Sequence, residues 1–278
     1  MDSALKKNIS TIFKSSLKED KVFSDITTKK LATSQKLQCE VVFKEKGLLC
    51  GKEVINYLLK IHYNKIKVIW KYNDGDFVKK GSVVATVTGP ANKVLPIERI
   101  FLNFIQKMSG IATYTHECCK AIKNKKIKVL DTRKTTPGWR LIEKYCVRIG
   151  GGINHRMDLS EMILIKDNHI KTCGSITSAL KKALANKPNI EIEVQSLLQL
   201  KEALKFKIKR IMLDNFTLNN TKKAIKIIRC FPKIEIEVSG GMNLPKLRKF
   251  SSLDIDFISI GSLTHSSKSI DISMNVKK

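Results

Sequence analysis

The spacing of hydrophobic positions changes once along this chain. Up to about residue 108 the pattern is mixed: Leu5, Ile9, Ile12, Phe13 and Leu17 recur at helical spacing, and residues 38–43 and 66–71 read as strands. Asn73-Asp74-Gly75-Asp76 is a strong turn signal, and the stretch from Asp74 to Gly89 predicts a plain structural hairpin. Ile100, Phe101, Phe104, Ile105 and Met108 form an apolar helical stripe with Arg99 in its first turn. From about residue 109 to 265 short apolar runs alternate with helical stretches, the signature of repeated βα units on a parallel sheet. Six runs are legible, at 127–130, 162–165, 190–194, 210–213, 234–238 and 256–260. A closed barrel has eight strands, so the expectation over 109–265 is an open α/β barrel, or one with a strand hidden from this reading. Residues 1–108 are expected to form a separate α+β domain, with the polar tail 266–278 packing back on it.

Each of the six runs ends in polar or glycine residues, and the carboxyl ends of parallel strands are where such folds carry their sites. The first run is followed by Asp131, Thr132, Arg133 and Lys134, the second by Lys166, Asp167, Asn168 and His169. Between them lie a Pro137-Gly138 turn, a helical segment, Gly150-Gly151-Gly152 and the pair His155-Arg156. The runs at 190–194 and 234–238 alternate isoleucine or valine with glutamate, which leaves two expectations open. Inside a helix-wrapped barrel the glutamates would point inward and require cations or ligand hydroxyls; on an edge strand they would face water. The last two runs end in Ser239-Gly240-Gly241 and Gly261-Ser262. Glycines let backbone amides approach an anion, and loops after the last two strands are the recurrent phosphate site of barrels.

Charge changes this picture less than its size suggests. A net charge of +27 points toward nucleic acid or an anionic membrane, yet the lysines run along nearly the whole chain, with no basic tail and no RNA-binding aromatic signature. They read as solvated surface. Arginine is scarce by contrast: Arg99, Arg133, Arg140, Arg148, Arg156, Arg210, Arg229 and Arg248 are all there are, and five lie between 99 and 156. Where lysine is the default cation, a retained arginine signals a need for its planar fork, as for carboxylate or phosphate. The seven cysteines are odd in number and lack CxxC spacing, which indicates neither a disulfide framework nor a zinc site and fits a reducing cytoplasm. With no 18-residue apolar run and no apolar signal core, neither a membrane span nor secretion is expected.

The motifs TRKTTPGWR from Thr132, GGGINHRMDLSEMILIKDNHI from Gly150, EVQSL from Glu193, MLDNF from Met212, EVSGGMN from Glu237 and SIGSLTHS from Ser259, in this order, resemble the quinolinate phosphoribosyltransferase family. The resemblance covers most of the chain from about residue 97. It implies an N-terminal α/β sandwich domain, an incomplete α/β barrel and assembly as a homodimer or higher. The implied reaction joins quinolinate and phosphoribosyl pyrophosphate, with Mg²⁺, to give nicotinate mononucleotide, pyrophosphate and carbon dioxide in NAD synthesis. Carried over by position, it puts the dicarboxylate pocket on Arg133, Lys134, His155, Arg156 and Lys166, beside Thr132, with Arg99 donated by the neighbouring subunit. Glu193 and Asp214 match the acidic pair near ribose and metal, with Asp214 as metal ligand. Ser239, Gly240 and Gly241, and Gly261, Ser262 and Leu263, match the phosphate loops. Elementary chemistry agrees: a dianion and a polyphosphate need several compensating cations, and an oxocarbenium-like transition state is stabilised by a nearby carboxylate such as Glu193.

Rival readings rest on fewer residues. Lys166 at the end of a buried strand also fits a Schiff-base lysine of a barrel aldolase, charge alone fits a nucleic-acid-binding protein, and a family paralogue would take another acidic acceptor. The surrounding arginines and the two glycine loops favour small-molecule anion binding. His169, Arg140 and Arg148 receive no role.

Overall fold

A computed structural model describes residues 1–32, 34–185 and 190–277. In chain order its elements begin with α1 (Ser3–Glu19), α2 (Ile26–Leu31), β1 (Lys36–Phe43), β2 (Gly47–Leu48), α3 (Lys52–His62), β3 (Lys67–Trp70), β4 (Phe77–Val78), β5 (Val83–Pro90) and the long α4 (Ala91–Ala121). The middle holds β6 (Lys128–Leu130), α5 (Arg140–Ile149), β7 (Ile163–Ile165), α6 (Asp167–Cys173) and α7 (Ile176–Leu184). The remainder is β8 (Ile190–Val194), α8 (Leu197–Ala203), β9 (Arg210–Asp214), α9 (Leu218–Ile228), β10 (Glu235–Ser239), α10 (Leu244–Phe250), β11 (Phe257–Ser259), α11 (Ser262–His265) and β12 (Ile272–Val276). The chain divides into two units. The first comprises Met1–His116, Thr135–Gly151 and Ser266–Lys278, the second Glu117–Lys134 and Gly152–His265.

In the first unit a four-stranded antiparallel sheet runs in the order β12-β1-β5-β3, so the chain's end supplies a strand beside β1. Helix α1 is capped by the Asp2 carboxylate, which accepts from the Leu5 amide at 2.8 Å, and it buries Leu5, Ile9, Phe13 and Leu17 at the predicted spacing. The hairpin expected between residues 74 and 89 does not form. β4 pairs with β2, whereas β5 has β1 on one side and β3 on the other. Both edges of β5 are therefore used, and none is left for β4; the connection is a turn through Gly81, whose φ of +83° suits glycine.

The second unit is a six-stranded, wholly parallel sheet in the order β6-β11-β10-β9-β8-β7. From β7 to β11 the neighbours follow chain order, and β11 returns beside β6. Among the described residues the junction missing from a closed cylinder is β6 to β7, so this is an open α/β barrel. One parallel bridge, Leu130 to Ile153, extends the β6 edge. Neither glutamate-bearing strand is an edge: β8 lies between β7 and β9, and β10 between β9 and β11. All five residues of β8 are buried, glutamates included. The edge-strand reading of the alternation is thereby removed.

Candidate active site

Parallel strands share one carboxyl end, and the ladder keeps those ends level: Ser239 pairs with Asp214, Val194 with Leu213, and Ser259 with Leu130. The polar residues that follow each strand are therefore brought to one rim. After β6, the wholly buried Asp131 carboxylate accepts from the His155 amide at 2.9 Å and from the Asn154 side chain. Asp131 thus ties residues 154–155 to the end of β6 and fixes where the His155-Arg156 pair stands. Next along the chain, the Thr132 hydroxyl accepts from the Lys134 amide at 3.0 Å, turning the backbone so that Arg133 and Lys134 follow at the rim. The Nε of Arg133 is enclosed with no acceptor among the described residues. A buried donor in that state costs about 1–3 kcal/mol until an anion satisfies it.

Arg156 lies close enough to Arg133 to feel its charge. Burial first and then the Arg133 charge lower the Arg156 guanidinium, while Glu191 opposes them. Its Nη1 donates to the Met162 carbonyl at 2.9 Å. His155 points the other way, with Nε2 at 3.3 Å from Glu191 and 3.5 Å from Glu237. Both carboxylates are 0% exposed. Arg210 closes the group, its Nη1 at 3.1 Å from Glu237 and 3.7 Å from Glu191, its Nη2 at 3.0 Å from Glu235, and its guanidinium 4.0 Å over the Phe257 ring. The inward glutamates of β8 and β10 therefore meet cations. Burial alone would lower His155, but the two carboxylates overcome it and hold the ring up at about 9. The Arg156 amide, 2.7 Å from Nδ1, favours the neutral ring with its proton on Nε2. The carboxylates prevail, because two charged partners in an enclosed site outweigh one neutral hydrogen bond. Ligand atoms of His155, Glu191 and Glu237 all lie within 4.8 Å of one another, a spacing that suits a metal ion, but Arg210 already supplies the cation there.

Farther round the rim, Lys166 follows β7 and its Nζ lies 3.6 Å from Glu193 at the end of β8. Its side chain is 45% exposed and ion-paired, unlike a Schiff-base lysine enclosed in an apolar pocket. Burial raises the Glu193 carboxyl against the pull of Lys166, with the charges of Asp214 and Asp167 adding to the rise. Asp214, ending β9, accepts from the Asn215 side chain at 2.8 Å. The Asn215 amide in turn donates to the Ser239 carbonyl at 3.1 Å. Gly240 has φ +97°, and a Cβ there would collide with the Asn215 side chain and stand 2.7 Å from its backbone nitrogen. Gly241 is also left-handed, at φ +55°. Lys246 reaches back from α10 to the Gly240 carbonyl at 2.5 Å. Gly261 precedes the short α11, which Ser262 and Leu263 begin; a Cβ on Gly261 would come within 3.1 Å of the Lys134 side chain. Thr264 donates to the Lys134 carbonyl at 2.6 Å, so the first and last strands of the sheet join here. The Leu263 side chain is buried, which leaves only its backbone to face a ligand.

Of the residues singled out from sequence, all but Arg99 fall within this unit. Arg99 is exposed on α4 in the first unit, beside a cavity of about 200 Å³ that Trp139 also lines. His169 acquires a structural task, its Nδ1 accepting from the Lys166 amide at 3.0 Å. Sequence reasoning overlooked Asp131 as the anchor of His155 and never matched Arg210 to the inward glutamates. The usable signals were an aspartate closing a buried strand and an arginine opening the strand between the two glutamate-bearing ones.

A family model described as quinolinate phosphoribosyl transferase, C-terminal domain, matches residues 111–275, and the corresponding N-terminal domain matches residues 25–109. The chain is 42% identical over 261 residues to a probable nicotinate-nucleotide pyrophosphorylase (carboxylating) of Bacillus subtilis, spanning 93% of this chain and 90% of that protein. Among solved structures, nicotinate-nucleotide pyrophosphorylase from Ehrlichia chaffeensis superposes with a TM-score of 0.91 at 37% identity, covering 96% of this chain and 98% of that one. NadC from Streptococcus pyogenes gives 0.89 at 39% identity, with 96% of each chain covered.

Proposed function

The chain belongs to the quinolinate phosphoribosyltransferase family, and from that premise we propose that it transfers the phosphoribosyl group of phosphoribosyl pyrophosphate to quinolinate, releasing pyrophosphate and carbon dioxide and leaving nicotinate mononucleotide for NAD synthesis. The observation that carries the reading is that cations from three separate stretches follow strand ends on one rim, Arg133 and Lys134, Arg156, and Lys166, with His155 turned inward beneath Arg156 to Glu191 and Glu237. Quinolinate is a dianion, and in an enclosed site only charge-assisted donors offset the cost of removing its carboxylates from water. Arg133, with an enclosed donor, and Arg156 grip one carboxylate. Lys134 and Lys166 compensate the rest and fix the ring so that its nitrogen faces the sugar.

Glu193 stands where positive charge develops on the ribose as the pyrophosphate leaves, and its carboxylate stabilises that charge. Asp214 holds ribose hydroxyls. Ser239 to Gly241 and Gly261 to Leu263 receive phosphate through backbone amides. Once the ring nitrogen is bonded to the sugar it is cationic and stabilises the electron pair left on the adjacent ring carbon as carbon dioxide departs, and that carbon then takes a proton from water. Glu193 and Asp214, near enough for the Asp214 charge to raise the Glu193 carboxyl, would hold a divalent cation through few protein ligands, with Asp214 as the direct one. Mg²⁺ bound there supplies charge neutralisation to the pyrophosphate. The active assembly is a homodimer in the cytoplasm, with Arg99 of each subunit completing its partner's dicarboxylate pocket.

The test is an assay for carbon dioxide and nicotinate mononucleotide from quinolinate, phosphoribosyl pyrophosphate and Mg²⁺. Folded protein that forms neither product would overturn the assignment.

A further inference from the structure

Arg133 and Arg156 are half-buried and near enough for the charge of Arg133 to disfavour that of Arg156 before a substrate arrives, so the site needs a counter-charge of its own. The charge of Glu191 bears on Arg156 in that sense, opposing both burial and Arg133. Glu191 and Glu237 are wholly buried beneath the rim, where no substrate group is required to reach them. They face His155 Nε2 at 3.3 and 3.5 Å, and the Arg156 backbone nitrogen lies against the other side of the same ring, 2.7 Å from Nδ1. Arg210 and the Ser259 hydroxyl hold the Glu237 carboxylate from the neighbouring strands, and Asp131 holds the His155 backbone.

We propose that Glu237, held by Arg210 and Ser259, and Glu191, ion-paired with Arg210 at 3.7 Å, are positioning residues for the acidic acceptor: they fix His155 and, through it, aim Arg156 at the pyridine dicarboxylate. This rests on the function proposed above and adds a role for a buried layer that touches neither substrate. The layer acts on one substrate only. Glu193, Asp214 and the glycine loops, which serve the sugar phosphate, are held by Lys166, Asn215 and Lys246 instead.

The experiment compares steady-state kinetics of the wild type with Glu191→Gln and Glu237→Gln, which keep shape and remove charge. The expected result is a KM for quinolinate raised at least about tenfold, with the KM for phosphoribosyl pyrophosphate within about twofold and kcat within about threefold. Ser259→Ala trims one contact to Glu237 without removing a charge, and should raise the quinolinate KM about threefold in the same selective manner. That variant decides the matter if the glutamine variants do not fold. Both KM values unchanged, both raised in proportion, or a fall in kcat alone would each overturn the positioning role. Wild-type protein without product would remove the underlying function as well, so the two failures are distinguishable.

Discussion

Gly240 is the residue whose identity the backbone dictates most strictly. Its left-handed φ and the crowding by Asn215 leave no room for a side chain, so Gly240→Ala must displace the loop between β10 and α10. The expected outcome is a KM for phosphoribosyl pyrophosphate raised about tenfold or more and a fold destabilised by about 1–3 kcal/mol, checked by initial rates and urea unfolding. Glu193 makes a different prediction, because its carboxylate acts on a charge that exists only in the transition state. Glu193→Gln should lower kcat on the order of a hundredfold or more while leaving both KM values within about threefold. A variant that loses affinity but keeps its turnover would assign Glu193 to binding instead. At this scale Arg133, Lys134, His155, Arg156 and Lys166 were legible as candidates because they stand in motifs. It could not match Arg210 to Glu191 and Glu237, because those partners are separated in sequence and meet only across the ladder.

At the scale of elements, the strands of the second unit were legible because each is a short apolar run closed by polar residues. β8 and β10 are bounded by their own alternation, with Ile192 and Ile236 0% exposed on the face opposite the glutamates. Truncating either to alanine removes packed methyl and methylene groups from a site with little freedom to collapse. Ile236→Ala is therefore expected to cost about 2–5 kcal/mol, read as a lower denaturant midpoint at unchanged slope. In the first unit β4 and β5 look like two arms of one hairpin, yet they join different sheets, since strand pairing depends on which edges are vacant. Helix α4 starts at Ala91 and continues through Pro96, although proline ordinarily signals a break and the apolar stripe is clear only beyond it.

For the whole molecule, buried charge makes stability depend on pH. His155 is held up at about 9 from an ordinary 6.5, so its proton is bound more tightly folded than unfolded. That contribution is fully present below pH 6.5 and is lost as the pH rises through about 9. Urea midpoints should fall between pH 6 and pH 9.5, and less so in His155→Gln; equal pH dependence in both proteins would assign the fall to other groups. Assembly gives a second expectation at this scale. Arg99→Ala and Arg156→Ala proteins, each inactive alone, should recover partial activity when mixed and allowed to exchange subunits. Verified exchange without recovery would remove the donated arginine. No helix among the described residues is long and apolar enough to cross a membrane.

By itself the sequence determined what local patterning can encode: six strands, their polar carboxyl ends, the two glycine loops and the family to which those motifs are similar. Periodicity and turn chemistry are written in neighbouring residues. Only the tertiary structure decided that the glutamates of β8 and β10 face a sealed interior, that Arg210 and His155 neutralise them, that Asp131 anchors residues 154–155, and that β4 and β5 part company. Each of these depends on which strand lies beside which, and a buried charge finds its partner in space rather than along the chain.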